Sequence, residues 1–174
     1  MIEHTGFGPN SSLIDIGGGA SLLVDHLLHL GYRDLTVLDV SRAALAQAAS
    51  RLEHRAVRVD WLEADVTQFT ASRRFNIWHD RAAFHFLTAE SDRQRYVGAL
   101  QAALAPGGQA IIATFAPGGP EKCSGLPIVQ YDSSRLIKAL GPGFVLLEQQ
   151  DEKHITPAGR EQFFRFFRLE KSRN

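Results

Sequence analysis

The chain has a single cysteine, Cys123, in 174 residues, so no disulfide can close within it and a disulfide-stapled secreted scaffold is excluded. It also has no surplus of either charge, because 19 Lys and Arg balance 19 Asp and Glu. A neutral chain lacks the broad positive field that gathers nucleic acid or anionic membrane, so neither is expected as a partner. No apolar run approaches the roughly 20 residues needed to span a bilayer. Residues 1–12 have neither the basic start nor the apolar stretch of a secretory signal. Together these absences predict a cytoplasmic protein.

What the sequence does have is 44% hydrophobic residues, enough at this length for one domain with a real core, spanning residues 1–174. Apolar runs alternate with helical patterns, which predicts an α/β fold with a mostly parallel sheet covered on both faces. Strands are expected at residues 12–16, 35–39, 58–62, 75–79 and 109–115, with a closing antiparallel hairpin from residues 144–148 and 163–169. Helices are expected at residues 21–30, ended by Gly31, at residues 42–53, capped by Ser41, and at residues 92–104 and 133–140. Pro106-Gly-Gly108 reads as a turn before the fifth strand. The Gly- and Pro-rich residues 116–124 read as a loop over a site, a lid or an acceptor-facing segment.

The most informative stretch is Leu13-Ile-Asp-Ile-Gly-Gly-Gly-Ala-Ser21, an apolar strand that carries an acid and enters a glycine turn. Glycines let backbone approach a ligand where a side chain would collide. The G-x-G-x-x-G of dinucleotide-binding domains, counted from Gly17, would need glycine at position 22, where Leu22 stands. Asp39 ends the second strand 22 residues after Gly17, where a carboxylate can accept from ribose hydroxyls. Glu63-Ala-Asp65-Val66 follows the third strand, and Leu104-Ala-Pro-Gly-Gly108 precedes the fifth.

These four features, in this order, resemble the class I S-adenosylmethionine (SAM) dependent methyltransferases over nearly the whole chain. The resemblance implies a Rossmann-like, seven-stranded, mostly parallel sheet with an antiparallel C-terminal strand, and SAM as cofactor. It implies cofactor-binding positions at Asp15, Gly17, Gly18, Gly19, Asp39, Val40, Asp65 and Val66: Asp15, Gly17 and Gly19 along the methionine part, Asp39 at the ribose, and Asp65 with Val66 at the adenine. Ser21 stands where the family usually has a further glycine. Phe75-Asn-Ile-Trp-His-Asp-Arg-Ala-Ala-Phe-His-Phe-Leu87 is similar in part to the Asp-Lys-Gly-Thr segment of the branch that contains protein-lysine methyltransferases. Asp80 falls on the Asp, Arg81 on the Lys, and Ala82-Ala83 replace Gly-Thr, while Asn76 stands where the family usually has Asp.

Methyl transfer from a sulfonium proceeds by alignment and desolvation, and an acceptor that must lose a proton needs a base. Asp80, His79 and His85 are the candidates. Other uses compete at each position: Asp65 as a turn or cap residue, His79 and His85 as a metal pair, Phe163-Phe-Arg-Phe-Phe167 as core of a buried hairpin. No third ligand stands at a metal-binding spacing, so no metal is expected. The expected function is methyl transfer to a small-molecule or protein side-chain acceptor. Its competitors are a SAM sensor or scaffold without turnover, and other SAM-fold chemistry such as aminopropyl transfer. Eleven residues precede the first strand, so an N-terminal cap over the cofactor is expected to be short or missing. An exposed sheet edge or uncovered pocket favours a homodimer.

Overall fold

The computed structural model describes residues 1–155 and 161–173, with backbone alone at position 154. The regular elements are β1 (Ser12–Ile16), α1 (Leu23–His29), β2 (Asp34–Asp39), α2 (Arg42–Leu52), β3 (Val59–Glu63), β4 (Phe75–Arg81), α3 (Glu90–Ala103) and β5 (Leu104–Phe115). They continue with β6 (Lys122–Cys123), β7 (Leu126–Pro127), α4 (Ser133–Leu140), β8 (Phe144–Ile155) and β9 (Glu161–Lys171). β1 is an interior strand of the sheet and pairs in parallel with β2 on one side and β4 on the other. β3 adds to β2 and β5 to β4, also in parallel. β9 then runs antiparallel between β5 and β8, giving the order β3-β2-β1-β4-β5-β9-β8. The Rossmann-like sheet expected from the sequence, with its antiparallel end, is the fold observed.

Period-two alternation splits the core into two layers. Leu13, Val37, Ile77 and Ile111 face α1 and α2, which bury Val24, Leu27, Leu45 and Leu52 there. Ile14, Ile16, Trp78 and Ile112 face the opposite layer, where α3 contributes Tyr96, Leu100 and Ala103, and α4 contributes Leu136 and Leu140. β1 is buried along its whole length, the signature of a strand covered on both sides. The same alternation points Asp15 and His79 into the α1–α2 layer and Asp80 into the α3 layer.

Several boundaries differ from the sequence reading. α1 begins at Leu23, because Ser21 N–H bonds the Gly18 carbonyl and Arg51 grips the Ala20 and Ser21 carbonyls, holding the turn out of the helix. Leu22 is left 66% exposed as a result. The turn at Pro106-Gly-Gly108 lies inside β5 as a bulge: Leu104 pairs with Phe75, and pairing resumes at Gln109 with Ile77. Gly107 takes φ 74° there, which a side chain would oppose. β8 continues well past Glu148 because β9 offers it a full antiparallel partner. Residues 116–124 are tied down: the Gln130 carboxamide bonds Gly118, Gly119 and Pro120 backbone, and β6 and β7 form a small hairpin. Among the described residues no helix is long and apolar enough to cross a membrane.

Candidate active site

Strand order reverses at β1, where the chain first winds outward through β2 and β3 and then returns to begin β4 on the other flank. Carboxyl ends of strands diverge at such a point and leave a crevice. The glycine turn after β1 forms its base. Gly17 and Gly19 adopt φ 66° and 38°, in the left-handed region. A Cβ on Gly18 would fall 2.5 Å from Asp15 Oδ2 and 2.7 Å from Val37 Cγ1, so only backbone fits.

Asp39 leaves β2 at the crevice rim. Its Oδ1 accepts from Ser41 N at 2.8 Å, which starts α2, and Ser41 Oγ in turn caps Ala44 N at 3.2 Å. Asp39 Oδ2 has no protein donor among the described residues and lies 2.7 Å from where a Cβ on Gly19 would stand. Asp65 is held in a side-chain turn, its Oδ1 accepting from Thr67 N and Thr67 Oγ1, both at 2.8 Å. Asp65 is therefore a turn residue and a cavity-wall residue at once.

Two adjoining cavities occupy the crevice. One, of about 370 Å³, is lined by Gly17, Asp39, Val40, Asp65, Val66 and Leu87. The other, of about 800 Å³, is lined by Asp15, Gly17, Gly18, Ser21, Leu22 and His79. Ile16, Gly17, Arg81 and Ala82 belong to both walls. Gly19 lines neither cavity; it stands behind the turn against Asp39.

The three proposed bases have different surroundings. His79 is the register partner of Asp15 across β1 and β4, and its Nδ1 lies 2.7 Å from Asp15 Oδ1. Its Nε2 has no hydrogen bond among the described residues, and the ring is on the wall of the larger cavity. Asp80 points away from both cavities and is fully buried. It accepts from Ala83 N at 2.7 Å, Phe84 N at 3.0 Å and Tyr96 Oη at 2.6 Å, while Trp78 Nε1 donates to the same Tyr96 oxygen at 2.9 Å. Burial pushes the Asp80 carboxyl up to about 6, opposed by the Tyr96 hydroxyl, the Ala83 and Phe84 amides and the nearby His79. His85 is enclosed by Phe86 and Phe115, with ring centroids at 4.5 and 5.0 Å. Neither of its ring nitrogens has a partner among the described residues, and burial pushes it down to about 4, so it is neutral at pH 7. The structure brings His79 to the cavities and leaves Asp80 and His85 in packed surroundings. Among the described residues no three His, Cys, Asp or Glu side chains converge as a metal site.

The family profile described as a methyltransferase domain matches residues 13–108, just over half of the chain and all of the strands that build the crevice's first flank. The chain belongs to the methyltransferase-domain family. This methyltransferase is of the class I, SAM-dependent type, with SAM as its cofactor. No curated protein matches it. Among solved structures it is similar to a SAM-dependent methyltransferase from Methanosarcina mazei at 13% identity and TM-score 0.79, covering 99% of this chain and 98% of that one. It is also similar to the N-methyltransferase NodS from Bradyrhizobium japonicum, at 20% identity and TM-score 0.75, over 95% and 88% of the two chains. The glycopeptide N-methyltransferase MtfA complexed with S-adenosylhomocysteine aligns at 17% identity and TM-score 0.72, over 98% and 86%. At these identities the likeness establishes the fold.

Sequence reasoning missed three parts of the candidate site. Ala82 takes φ 72°, a left-handed conformation costly for alanine, at the position matched to glycine in the Asp-Lys-Gly-Thr comparison. That match was the available signal. Phe86 and Leu87 form cavity wall because the chain turns back over the crevice after Asp80. Tyr96, which holds Asp80, carried no local signal: it reads as one more buried position of α3.

Proposed function

We propose that the two joined cavities hold SAM and the methyl acceptor, and that His79, oriented by Asp15, takes the proton from an acceptor on a small molecule or a protein side chain. The observation that carries this reading is the Asp15–His79 pair, two nearly buried side chains joined at 2.7 Å that both lie on the wall of the larger cavity. With its Nδ1 hydrogen directed at the carboxylate, the imidazole presents Nε2 as an acceptor, the arrangement a general base requires.

The smaller cavity suits the adenosine end of the cofactor. Asp39 Oδ2 is free to accept from ribose hydroxyls, Asp65 borders the position of a base, and the side chains of Val40, Val66 and Leu87 supply apolar surface for its faces. Asp15, Gly17 and Gly18 then adjoin the amino acid end. Glycine at position 18 lets the turn pack against Asp15 and Val37, where a Cβ would collide. When bound, SAM supplies a methyl group on a sulfonium, transferred by in-line displacement. The residues of this chain align the partners, exclude water and remove a proton. Asp80 is a positioning residue here, fixing the turn that carries Arg81, Ala82 and Ala83 into the cavity wall. The similar structures NodS, an N-methyltransferase, and MtfA, a glycopeptide N-methyltransferase, are consistent with an acceptor of this kind.

The test is release of S-adenosylhomocysteine from SAM across pools of small-molecule and peptide acceptors. Turnover is expected in at least one pool, and His79→Ala is expected to lower it by roughly 100-fold or more, with S-adenosylhomocysteine affinity retained. A wild-type rate for H79A at saturating cofactor removes His79 from the mechanism. Cofactor binding without turnover in any pool contradicts the enzymatic reading.

A further inference from the structure

Between α3 and α4 lies another cavity, of about 530 Å³, that the proposed reaction does not use. Its wall is basic: Arg93 from α3 and Arg135 and Lys138 from α4, with Glu90 as the acid among its lining residues. Arg93 Nη1 donates to the carbonyls of Leu87 and Thr88 at 2.9 and 2.7 Å, which fixes the guanidinium. Its Nε and Nη2 have no acceptor among the described residues, so two donors of a fixed fork remain. Arg135 and Lys138 stand one turn apart on exposed positions of α4, and neither side chain makes a hydrogen bond or ion pair among the described residues. Asp132 is close enough to Arg135 to feel its charge, but its Oδ1 is committed to capping α4 through Arg135 N at 2.8 Å. Glu90 Oε1 accepts from Gln94 Nε2 at 3.3 Å.

The decisive feature is Tyr131, which borders this cavity and is only 3% exposed. Its ring packs on Phe84 with centroids 5.1 Å apart, and its hydroxyl has no hydrogen-bond partner among the described residues. An unpaired buried hydroxyl is costly, so an acceptor that reaches it from the cavity would relieve that cost. Arg93 is near enough for its charge to act on that hydroxyl.

We propose that this cavity binds an oxyanion, the carboxylate or phosphate group of a small molecule, with Arg93, Arg135 and Lys138 supplying charge and Tyr131 a directed hydrogen bond. Charge-assisted bonds to a planar guanidinium and a point-charge lysine suit either group. The chain also gives the site a place relative to the cofactor crevice: Leu87 lines that crevice and the next residue, Thr88, lines this cavity. A bound acid group would therefore stand on the same edge of the sheet. The proposal stands independently of which residues hold SAM.

Titration with inorganic phosphate, and separately with succinate, while the amide resonances of Thr88, Val129 and Tyr131 are followed by NMR, tests it. Saturable shifts are expected with at least one of the two, and the tighter anion identifies the group. The R135Q/K138Q double variant is expected to weaken that binding by about tenfold or more, and Tyr131→Phe to weaken it several-fold without disturbing the ring packing. S-adenosylhomocysteine affinity should be unchanged in both. No saturable shift with either anion, or wild-type anion affinity in both variants, overturns the proposal.

Discussion

A histidine whose two ring nitrogens have no partner among the described residues is an unusual thing to bury, and His85 is held that way by Phe86 and Phe115. Burial lowers its proton affinity from 6.5 to about 4. The unfolded chain therefore binds a proton that the native state refuses, and stability present above pH 6.5 is lost as pH falls through 4. The shift corresponds to about 3 kcal/mol. Asp80 works the other way: raised to about 6, it favours the native state most at low pH and gives up that contribution as pH rises through 6. Comparing variants separates the two. His85→Leu, which suits the aromatic enclosure, is expected to gain stability relative to the wild type as pH drops from 6.5 to 4 in denaturant melts; parallel curves would show that His85 does not titrate this way. Positions that follow from backbone geometry were legible in the sequence. The glycine turn and Asp39 stand at the crevice where their spacing put them. Asp80 was not legible as a buried carboxylate, because what buries it is Tyr96, 16 residues on. The pairing of Asp15 with His79 spans 64 residues and follows from strand register, which no local pattern encodes.

At the scale of elements, the segment leaving β4 concentrates the methyltransferase's unusual features. Asp80 gathers the amides of Ala83 and Phe84, and Tyr96 anchors that knot to α3, so the cavity wall at Arg81 and Ala82 is fixed from beneath. Ala82 N–H is spent on the Ala113 carbonyl at 2.9 Å, which holds the residue at φ 72°. Removing the knot and relieving the strain should have opposite effects. Asp80→Ala deprives three buried donors of their acceptor and is expected to lower stability by about 3 kcal/mol. Ala82→Gly relieves a left-handed alanine at some cost in chain entropy and is expected to leave stability unchanged or raise it by up to about 1 kcal/mol. Thermal unfolding measures both, and a strongly destabilised A82G would contradict the strain argument. The strands and helices were largely legible because both layers repeat their apolar periods. The misplaced boundaries are those set by partners distant in sequence: β8 is as long as β9 allows, and α1 is shortened by Arg51 reaching from α2.

For the whole molecule, strand order decides where chemistry can occur. A sheet whose first strand is an interior one must reverse there, and the reversal brings the ends of β1, β2 and β4 around one crevice. The opposite margin is β8, an edge strand blunted by an irregularity between Leu146 and Glu148 and by charged positions at Asp151, Glu152 and Lys153. Fold and crevice were legible because glycine turn, acids and apolar runs came in the order this topology requires. The acceptor was not, since the residues that wall the crevice come from separate elements that no local pattern ties together. The central claim is that the crevice holds SAM through Asp39 and the glycine turn. Calorimetric titration of the wild-type protein and of Asp39→Ala with S-adenosylhomocysteine tests it most directly. One-site binding by the wild type and at least about tenfold weaker binding by D39A is the predicted result; no binding by the wild type, or equal affinity in the variant, would contradict it.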